Sequence, residues 1–389
     1  MGNNNQESAA VKHVDQLLID AINVAASDIH IDPTLAHVRI RYRVDGILHD
    51  RATLEGTLAP SIISRFKVLA NIDITEKRVP QDGQFRFAHD ARTIDIRIAT
   101  FPALHGEKMV VRILDQAHIV LHLEQLGMTQ AVVDQVRLLV HRNQGFFLVT
   151  GPTGSGKTTT LYAALQELNA PERHIITLED PVEYDIAGIT QGRINPVIGF
   201  TFARGIRALL RLDPDIVMIG EIRDRETAQT AIEAALTGHM VLSTIHTNDA
   251  PSVIARLLDM AIDPFLISSA LTGVVAQRLA RIICPACKIA YTPTVHELVQ
   301  CQMFGLQPSV LYRGEGCQAC GGRGYKGRIG IFELMVMRDS LRELIVTRAS
   351  LDMLREHAVH NGMVRMLDDG CQKMMIGLIT LQDLLRVVA

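Results

Sequence analysis

The amino-acid sequence predicts an α/β protein in which a largely antiparallel α+β domain precedes a domain built on a parallel sheet. In the first part, strands alternate apolar and polar residues, as in HVRIRYRVDG. In the second part, helical stretches separate short apolar strands, which is typical of a parallel sheet with crossover helices. A chain of 389 residues is also too long for one core of ordinary size, which favours two or three domains.

The first domain is expected over residues 12–115, after a disordered leader at residues 1–11. Residues 11–26 have apolar side chains at helical spacing, and the helical stretch PSIISRFKVLANI lies further on. Asp45-Gly46 is a hairpin turn signal directly after the first alternating strand. TIDIRIATFP and KMVVRIL are further strand candidates, so these elements predict a mainly antiparallel sheet with helices.

The second domain is expected over residues 128–389, after a linker at 116–127. TQAVVDQVRLLVHR is helical, and the short apolar strands are GFFLVTG, HIITLED, PDIVMIGE and HMVLSTIHT. Residues 281–330 contain two cysteine pairs and many glycines, which indicates a small subdomain. Helices are expected over the tail, residues 331–389.

Composition argues against two classes of protein. The net charge is −3, aromatic residues make up 4% and tryptophan is absent, which disfavours a surface that follows a nucleic-acid backbone. A run of about 18 uncharged apolar residues does not occur, so we expect no transmembrane helix.

The stretch GPTGSGKT fits the phosphate-loop pattern G-x-x-x-x-G-K-[ST], with an apolar strand before it and a helix after it. The glycines let backbone N–H groups form an anion nest, Lys157 supplies charge to the β- and γ-phosphates, and the Thr158 hydroxyl holds Mg²⁺. The alternative, a plain glycine-rich turn, fits the flanking strand and helix less well. A nucleoside triphosphate is therefore expected on Gly151, Pro152, Thr153, Gly154, Ser155, Gly156, Lys157, Thr158 and Thr159.

Hydrolysis needs acids at the ends of neighbouring strands as well. PDIVMIGEIRD ends an apolar strand with Glu221, which we interpret as the catalytic base. ITLEDPVEY places Glu179 and Glu183 at another strand end. Solvated loop acids are the alternative, but two such clusters in a phosphate-loop chain favour a functional role.

Histidines and arginines complete the candidate set. His239 and His246 lie at the two ends of the strand in HMVLSTIHT. A histidine there can polarise the γ-phosphate. The alternative is a core histidine whose hydrogen bonds are made within the protein. Guanidinium groups commonly meet the charge that develops on a transferred phosphoryl group. Spacing alone does not choose among the arginines of the strands near Arg97 and Arg112 and of the helix near Arg207 and Arg211.

Cys284 and Cys287 form one C-x-x-C pair, and Cys317 and Cys320 form a second after 29 intervening residues. Two such pairs supply the four thiolates of a tetrahedral zinc site, which is structural because no coordination position stays open. Four unrelated buried thiols are the alternative. The two remaining cysteines, Cys301 and Cys371, are expected to be free thiols.

These motifs together resemble the ATPases of the type II secretion system and of type IV pilus assembly, with the type II members closest. The resemblance runs from about residue 12 to the end. It is carried by SDIHIDP, RYRVDG, RVPQDGQ, FPALHGEKMVVRIL, GPTGSGKTTTLYAAL, ITLEDPVEY, LLRLDPDIVMIGEIRDRETAQTAIEAALTGHMVLSTIHTNDA and GYKGRIGIFELM.

The resemblance implies a PAS-like first domain, a RecA-like motor domain and a small tetracysteine zinc subdomain. It implies a ring of six chains with ATP and Mg²⁺ between the two large domains. Glu221 matches the Walker B glutamate, Glu179 and Glu183 the Asp box, and His239 and His246 the His box. The matching arginines are Arg97 and Arg112 at the phosphates, and Arg207, Arg211, Arg223 and Arg256 at the nucleotide or across the subunit boundary.

The implied function is a cytoplasmic motor, peripheral on the inner membrane, that drives pseudopilus assembly and protein export through inner-membrane platform proteins. Pilus extension or a competence-type assembly ATPase is the alternative, and pilus retraction is disfavoured because retraction members usually lack the zinc module. A nucleic-acid translocase and a nucleotide-binding scaffold are further alternatives, although no nucleic-acid partner is expected. Members of this kind usually carry another amino-terminal docking domain, so we expect either a truncated chain or a short, competence-like member.

Overall fold

The computed structural model describes residues 2–90, 92–115 and 122–388. The chain divides into two compact units, Met1–Ile119 and Val120–Ala389. Residues 116–121 of the predicted linker lie outside the described part, and Leu123–Leu126 forms a short 3-10 turn in the second unit. Within the described residues, no helix is both long and apolar enough to cross a membrane.

The first unit is an antiparallel sheet covered by two helices. Its strand order is β3-β2-β1-β6-β5-β4, and every neighbouring pair is antiparallel. The predicted antiparallel α+β architecture is confirmed. The elements are α1 (Gly2–Asn23), β1 (Ala26–Pro33), β2 (His37–Val44), β3 (Ile47–Glu55), α2 (Ala59–Leu69), β4 (Gln81–His89), β5 (Arg92–Ala103) and β6 (Gly106–Leu114).

Alternation along the strands builds the core of this unit. Val38, Ile40 and Tyr42 on β2 are buried and pack with apolar residues of both helices. The arginines between them face the other side, where Arg39 pairs with Asp50 at 2.6 Å. The predicted Asp45-Gly46 turn is present: both residues have positive φ, 50° and 85°, and they join β2 to β3.

The start of α1 differs from the sequence expectation. The helix begins at Gly2, whereas a disordered leader was expected over residues 1–11. The buried side chains of α1 recur at helical spacing from Ala10 onward, with Val14, Leu18 and Ala21 among them. The helix extends toward the amino terminus beyond these apolar residues, into a polar stretch that has no helical periodicity in the sequence.

The second unit contains a seven-stranded sheet of order β15-β12-β7-β11-β10-β8-β9, parallel except for β15. Its elements through β12, in chain order, are α3 (Gln130–Val140), β7 (Gly145–Thr150), α4 (Lys157–Leu168), β8 (Ile175–Glu179), β9 (Thr190–Arg193), α5 (Phe202–Leu209), β10 (Ile216–Ile219), α6 (Arg225–Leu236), β11 (Met240–Ile245), α7 (Ser252–Asp259), α8 (Pro264–Ala270) and β12 (Leu271–Ile283).

The remaining elements are β13 (Lys288–Tyr291), α9 (Val295–Gln302), β14 (Leu311–Gly314), β15 (Tyr325–Val336), α10 (Asp339–Val346), α11 (Leu351–His360), α12 (Met366–Met375) and α13 (Leu381–Val388). Strands β13 and β14 form a small separate sheet beside the cysteine pairs. The predicted tail helices start only at Asp339, because residues 331–336 continue β15. The pairing of β15 with β12 also places residues 281–283 and 325–330, expected in the subdomain, in the large sheet.

The central strands are buried on both faces, as expected for a parallel sheet between two helix layers. Every residue of β7, β10 and β11 is buried. Alternate residues of β7 enter different clusters: Phe146 packs in a core with α6, α7 and α8, and Phe147 packs in a core with α3 and α4. This two-layered packing holds the carboxyl ends of the strands in a fixed array.

Candidate functional site

Most of the predicted motor residues meet at the carboxyl edge of the parallel sheet. Thr150, the last residue of β7, pairs with Ile245, the last residue of β11. Ile219, the last residue of β10, pairs with Ser243 on β11 and with Leu178 on β8. The phosphate loop, Glu221, His246 and Glu179 therefore emerge at one edge, where open α/β sheets bind ligands.

The phosphate loop has the backbone that its glycines predict. Gly151, Gly154 and Gly156 have φ of 147°, 78° and 87°, which favour glycine. A Cβ on Gly151 would lie 2.5 Å from the backbone oxygen of Gln277, so the close approach also requires glycine. The loop leads directly into α4, whose amino-terminal N–H groups favour an anion.

Lys157 lies inside the loop. Its side chain is buried, and Nζ donates to the carbonyl oxygens of Gly151 at 2.9 Å and Pro152 at 3.1 Å. Burial lowers the pKa of Lys157 to about 8, although the nearby Glu221 carboxylate opposes that shift. The ammonium group is thus held where a phosphate would arrive, in surroundings that disfavour its charge until an anion is present.

Gln277 is a site residue that the sequence did not reveal. It is buried on β12, its Nε2 donates to Ser155 O at 2.7 Å, and its Oε1 accepts from Thr160 Oγ1 at 2.7 Å. The side chain therefore joins the loop to the first turns of α4. A glutamine directly after the apolar residues VVA is the sequence signal that could have indicated a buried hydrogen-bonding role.

Glu221 follows β10 and has two basic neighbours. Its Oε1 lies 2.6 Å from Arg223, and its Oε2 lies 3.6 Å from His246 Nε2. The hydrogen bond that Arg223 donates to the Glu221 carboxylate raises the pKa of Arg223. Partial burial lowers the pKa of His246, and the positive charge of Lys157 lowers it further. A carboxylate, a guanidinium and an imidazole thus lie together beside the phosphate loop.

Glu179 is enclosed by protein groups. It is 3% exposed, and it accepts hydrogen bonds from the Tyr162 hydroxyl, from Thr177 Oγ1 at 2.6 Å and from Gln191 Nε2 at 3.1 Å. The backbone N–H of Glu183 donates to the same Tyr162 hydroxyl at 3.4 Å. The structure therefore joins the Glu179 carboxylate to the backbone of Glu183 through Tyr162, and the catalytic role of the two acids stays a prediction.

His239 lies at the opposite edge of the sheet from the phosphate loop. Its backbone oxygen accepts from the N–H of Gly145, the first residue of β7, at 3.1 Å, and its Nδ1 lies 3.0 Å from Ala234 O. The six residues of β11 separate it from His246, a span of about 20 Å at 3.3 Å per residue. The two histidines that the sequence grouped together are thus placed apart.

The predicted arginines lie on several exposed elements. Arg207 on α5 pairs with Glu226 at 2.8 Å, and the Arg211 side chain donates to Arg207 O at 2.7 Å. Arg256 is exposed on α7. In the first unit, Arg97 and Arg112 are partners across β5 and β6, and Arg112 contacts Asp28 at 3.1 Å. Contact of these arginines with a nucleotide stays a prediction.

The four predicted metal ligands form one cluster. The sulfur atoms of Cys284, Cys287, Cys317 and Cys320 all lie within 4.8 Å of one another, and three of their separations are 3.8, 3.9 and 3.8 Å. Zinc–sulfur bonds of about 2.3 Å in a tetrahedron require separations of about 3.8 Å. The residues therefore fit zinc. Cys301 and Cys371 are buried free thiols outside the cluster.

Backbone N–H groups support the cluster. Gly316 N donates to Cys287 Sγ at 3.3 Å, and Gly324 N donates to Cys320 Sγ at 3.2 Å. Donors of this kind stabilise thiolates and orient them toward a cation. The turns that hold the pairs thus supply both the sulfur ligands and their hydrogen-bond partners.

Comparison with known proteins places these features in a family. The family model described as type II/IV secretion system protein matches residues 3–386. The chain is 48% identical, over 98% of its length and 76% of the relative's, to the type II secretion system ATPase E of Vibrio cholerae serotype O1. It is 45% identical, over 97% of its length and 43% of the relative's, to the type IV pilus assembly ATPase PilB of Thermus thermophilus.

A solved structure agrees with this relationship. The pilus retraction motor PilT with bound ADP has a TM-score of 0.63 and 27% identity, and the match covers 95% of each chain. The parallel sheet with its phosphate loop is accordingly a RecA-like motor fold, whereas the PAS-like assignment of the first unit stays a prediction. The chain belongs to the type II/IV secretion system protein family.

Proposed function

We propose that this chain is a Mg²⁺-dependent ATPase that powers protein export by a type II secretion system. The observation that carries the proposal is that the phosphate loop with Lys157 and the carboxylate of Glu221 follow β7 and β10, which flank β11 at one edge of the sheet. A phosphate-binding cation and a carboxylate for the attacking water are the two parts that nucleotide hydrolysis requires. Relatives named type II secretion system ATPase E and type II secretion system protein E support the same proposal.

In this proposal the loop amides and Lys157 bind the β- and γ-phosphates, and the Thr158 hydroxyl holds Mg²⁺. Bound Mg²⁺ neutralises charge that develops on the phosphoryl oxygens. Glu221 accepts the proton of the attacking water, which requires that its 2.6 Å pairing with Arg223 open when the nucleotide is bound. Arg223 is then free to contact phosphate oxygen atoms.

The assembled motor is proposed to be a ring of six chains on the cytoplasmic face of the inner membrane, acting on platform proteins that add pseudopilin subunits. Zinc on the four cysteines has a structural role, because four sulfur ligands leave no open position. The 45% identity to PilB of Thermus thermophilus favours pilus extension as the second candidate. Expression of this chain in a secretion-ATPase mutant and in a pilus-extension mutant separates the two candidates. Restored protein export without restored pili supports secretion, and the reverse result supports pilus extension.

The substitution Glu221→Gln tests the catalytic proposal. We expect unchanged affinity for a fluorescent ATP analogue and a fall in kcat of about 10²–10⁴-fold, because an amide accepts no proton. The matched control is Glu226→Gln, since Glu226 is an exposed acid nearby that pairs with Arg207 at the surface. Turnover by Glu221→Gln at the wild-type rate would remove Glu221 from the mechanism.

A further inference from the structure

The segment 246–250 after β11 lies directly against the phosphate loop. Thr247 N donates to Thr150 Oγ1 at 2.9 Å, and the two threonine hydroxyls are 2.8 Å apart. Thr150 is the last residue before the glycines, and His246 lies beside Glu221. A shift of this segment would therefore move groups at both the loop and the carboxylate.

Glu333, a buried residue of β15, joins this segment to a carboxyl-terminal helix. Its Oε1 accepts from Ala250 N at 2.9 Å, and its Oε2 accepts from Met366 N, the first residue of α12, at 3.2 Å. Each oxygen thus satisfies an N–H from a different element. Burial raises the pKa of Glu333, so the position is costly for a carboxylate. An apolar residue there would leave two buried N–H groups without an acceptor.

Asp249 and Arg355 make a second connection from the same segment. Arg355 on α11 contacts Asp249 Oδ2 at 2.7 Å, and Asp249 Oδ1 accepts from Ser252 N at 2.8 Å, where α7 begins. Asp249 O also accepts from Thr247 Oγ1 at 2.8 Å. One aspartate thus links the site segment, the start of the helix that carries Arg256, and α11.

We propose that Asp249, Glu333 and Arg355, here named the tether, position segment 246–250 for hydrolysis and transmit the state of the phosphate loop to helices α11 and α12. The inference rests on the proposed ATPase function. The three are positioning residues, because their contacts reach the site through backbone groups and Thr247. The physical basis is that short charged contacts on two helices give the segment few other arrangements.

Kinetics of Arg355→Gln test the positioning role. Arg355 is 39% exposed in its side chain, so the variant is expected to fold. We expect kcat to fall about tenfold, because small misplacements of reacting groups cost rate, with KM for ATP within about twofold. The matched control is Arg137→Gln, since Arg137 is similarly exposed, at 34%, and its acidic partners Glu124, Asp134 and Glu167 lie outside the tether and segment 246–250. Wild-type kcat in Arg355→Gln would overturn the positioning role.

A double-mutant cycle separates positioning from general stability. If Arg355 acts through the segment, Arg355→Gln combined with His246→Ala lowers kcat by less than the product of the two single effects. Fully multiplicative effects would contradict the tether. Glu333→Gln gives a second comparison, against Asp383→Asn, a buried carboxylate that accepts from the Arg281 backbone elsewhere in the fold. If the two variants lose the same amount of Tm, we expect Glu333→Gln to lower kcat more than Asp383→Asn does.

Hydrogen–deuterium exchange tests transmission without turnover. In the wild type, a non-hydrolysable ATP analogue with Mg²⁺ is expected to slow exchange at the phosphate loop and also in α11 and the first turn of α12. In Arg355→Gln, slowing is expected at the loop alone. Slowing at the loop of the wild type without any change in the two helices would sink the tether proposal. No slowing at the loop would refute the proposed nucleotide site, and the tether would fall with it.

Discussion

Lys157 shows how a single residue prepares the site for an anion. Its ammonium group is buried among loop carbonyl oxygens, and burial lowers its pKa to about 8. Phosphate oxygens beside the amine favour its charged form, so a bound nucleotide raises the pKa again. The pH dependence of nucleotide affinity should report this change directly.

We expect nucleotide affinity to be constant where Lys157 is charged in both states, below about pH 7, and to fall above pH 8. Above its free-site pKa, binding requires uptake of a proton, so affinity falls by up to about tenfold per pH unit. Calorimetry with a non-hydrolysable analogue at pH 8.5, in two buffers of different ionisation enthalpy, measures that uptake.

The control for this experiment is Lys157→Arg, because a guanidinium stays charged throughout the range. Its affinity should be lower overall but independent of pH over the same interval. Proton release on binding to the wild-type protein, or a flat pH profile, would contradict the assigned role of Lys157.

Among the elements, β12 is as important to the phosphate loop as the strand that leads into it. Gln277 at the level of the loop connects Ser155 to Thr160, whereas Thr272 on the same strand donates to Phe146 O at 3.1 Å, near the start of β7. Both side chains are buried. The two positions therefore donate side-chain hydrogen bonds to backbone oxygens from places beside opposite ends of β7.

We expect Gln277→Leu to raise KM for ATP about tenfold and to lower Tm, since each buried group left unpaired costs about 1–3 kcal/mol. Thr272→Val should lower Tm with KM unchanged, because it removes a buried bond far from the loop. Steady-state kinetics and thermal denaturation of both variants give the comparison. Equal KM values for the two would show that Gln277 stabilises the sheet without shaping the loop.

At the scale of the whole molecule, the predicted arginines are spread over two units and several surfaces. Arg97 and Arg112 belong to the first unit, whereas Arg207 and Arg256 are exposed on helices of the second and Arg211 is exposed in the turn after α5. The site around Glu221 contains Arg223 as its adjacent guanidinium. A motor whose site is completed by a neighbouring chain would use the exposed arginines for that purpose.

We expect specific ATPase activity to rise with protein concentration, and two inactive variants to restore activity when mixed. Glu221→Gln and Arg256→Gln should each be nearly inactive alone. In an equal mixture, about a quarter of the contacts between neighbours in a ring would join two intact surfaces. A mixture without activity would place Glu221 and Arg256 in the same chain's site, and activity independent of concentration would argue against assembly in the measured range.

Much of the site could be predicted from the sequence because its signals are local. The phosphate loop, the glutamate after an apolar strand and the C-x-x-C pairs each lie within a few consecutive residues, and the structure places them as expected. The antiparallel first unit was likewise visible in the alternation along β2. Local periodicity and turn chemistry are properties of short segments, so they can be recognised in the sequence before the fold is known.

Contacts between residues that are far apart in the sequence were decided only by the tertiary structure. Gln277 reaches Ser155 across 122 positions of the chain, and the parallel pairing of β7 with β11 places His246 at the site and His239 at the other edge. The tail helices were predicted too early because β15 gains its strand structure from pairing with β12. The sequence by itself determined which functional groups each segment carries. Which of those groups come into contact was decided by strand order and burial, because these are properties of the whole sheet.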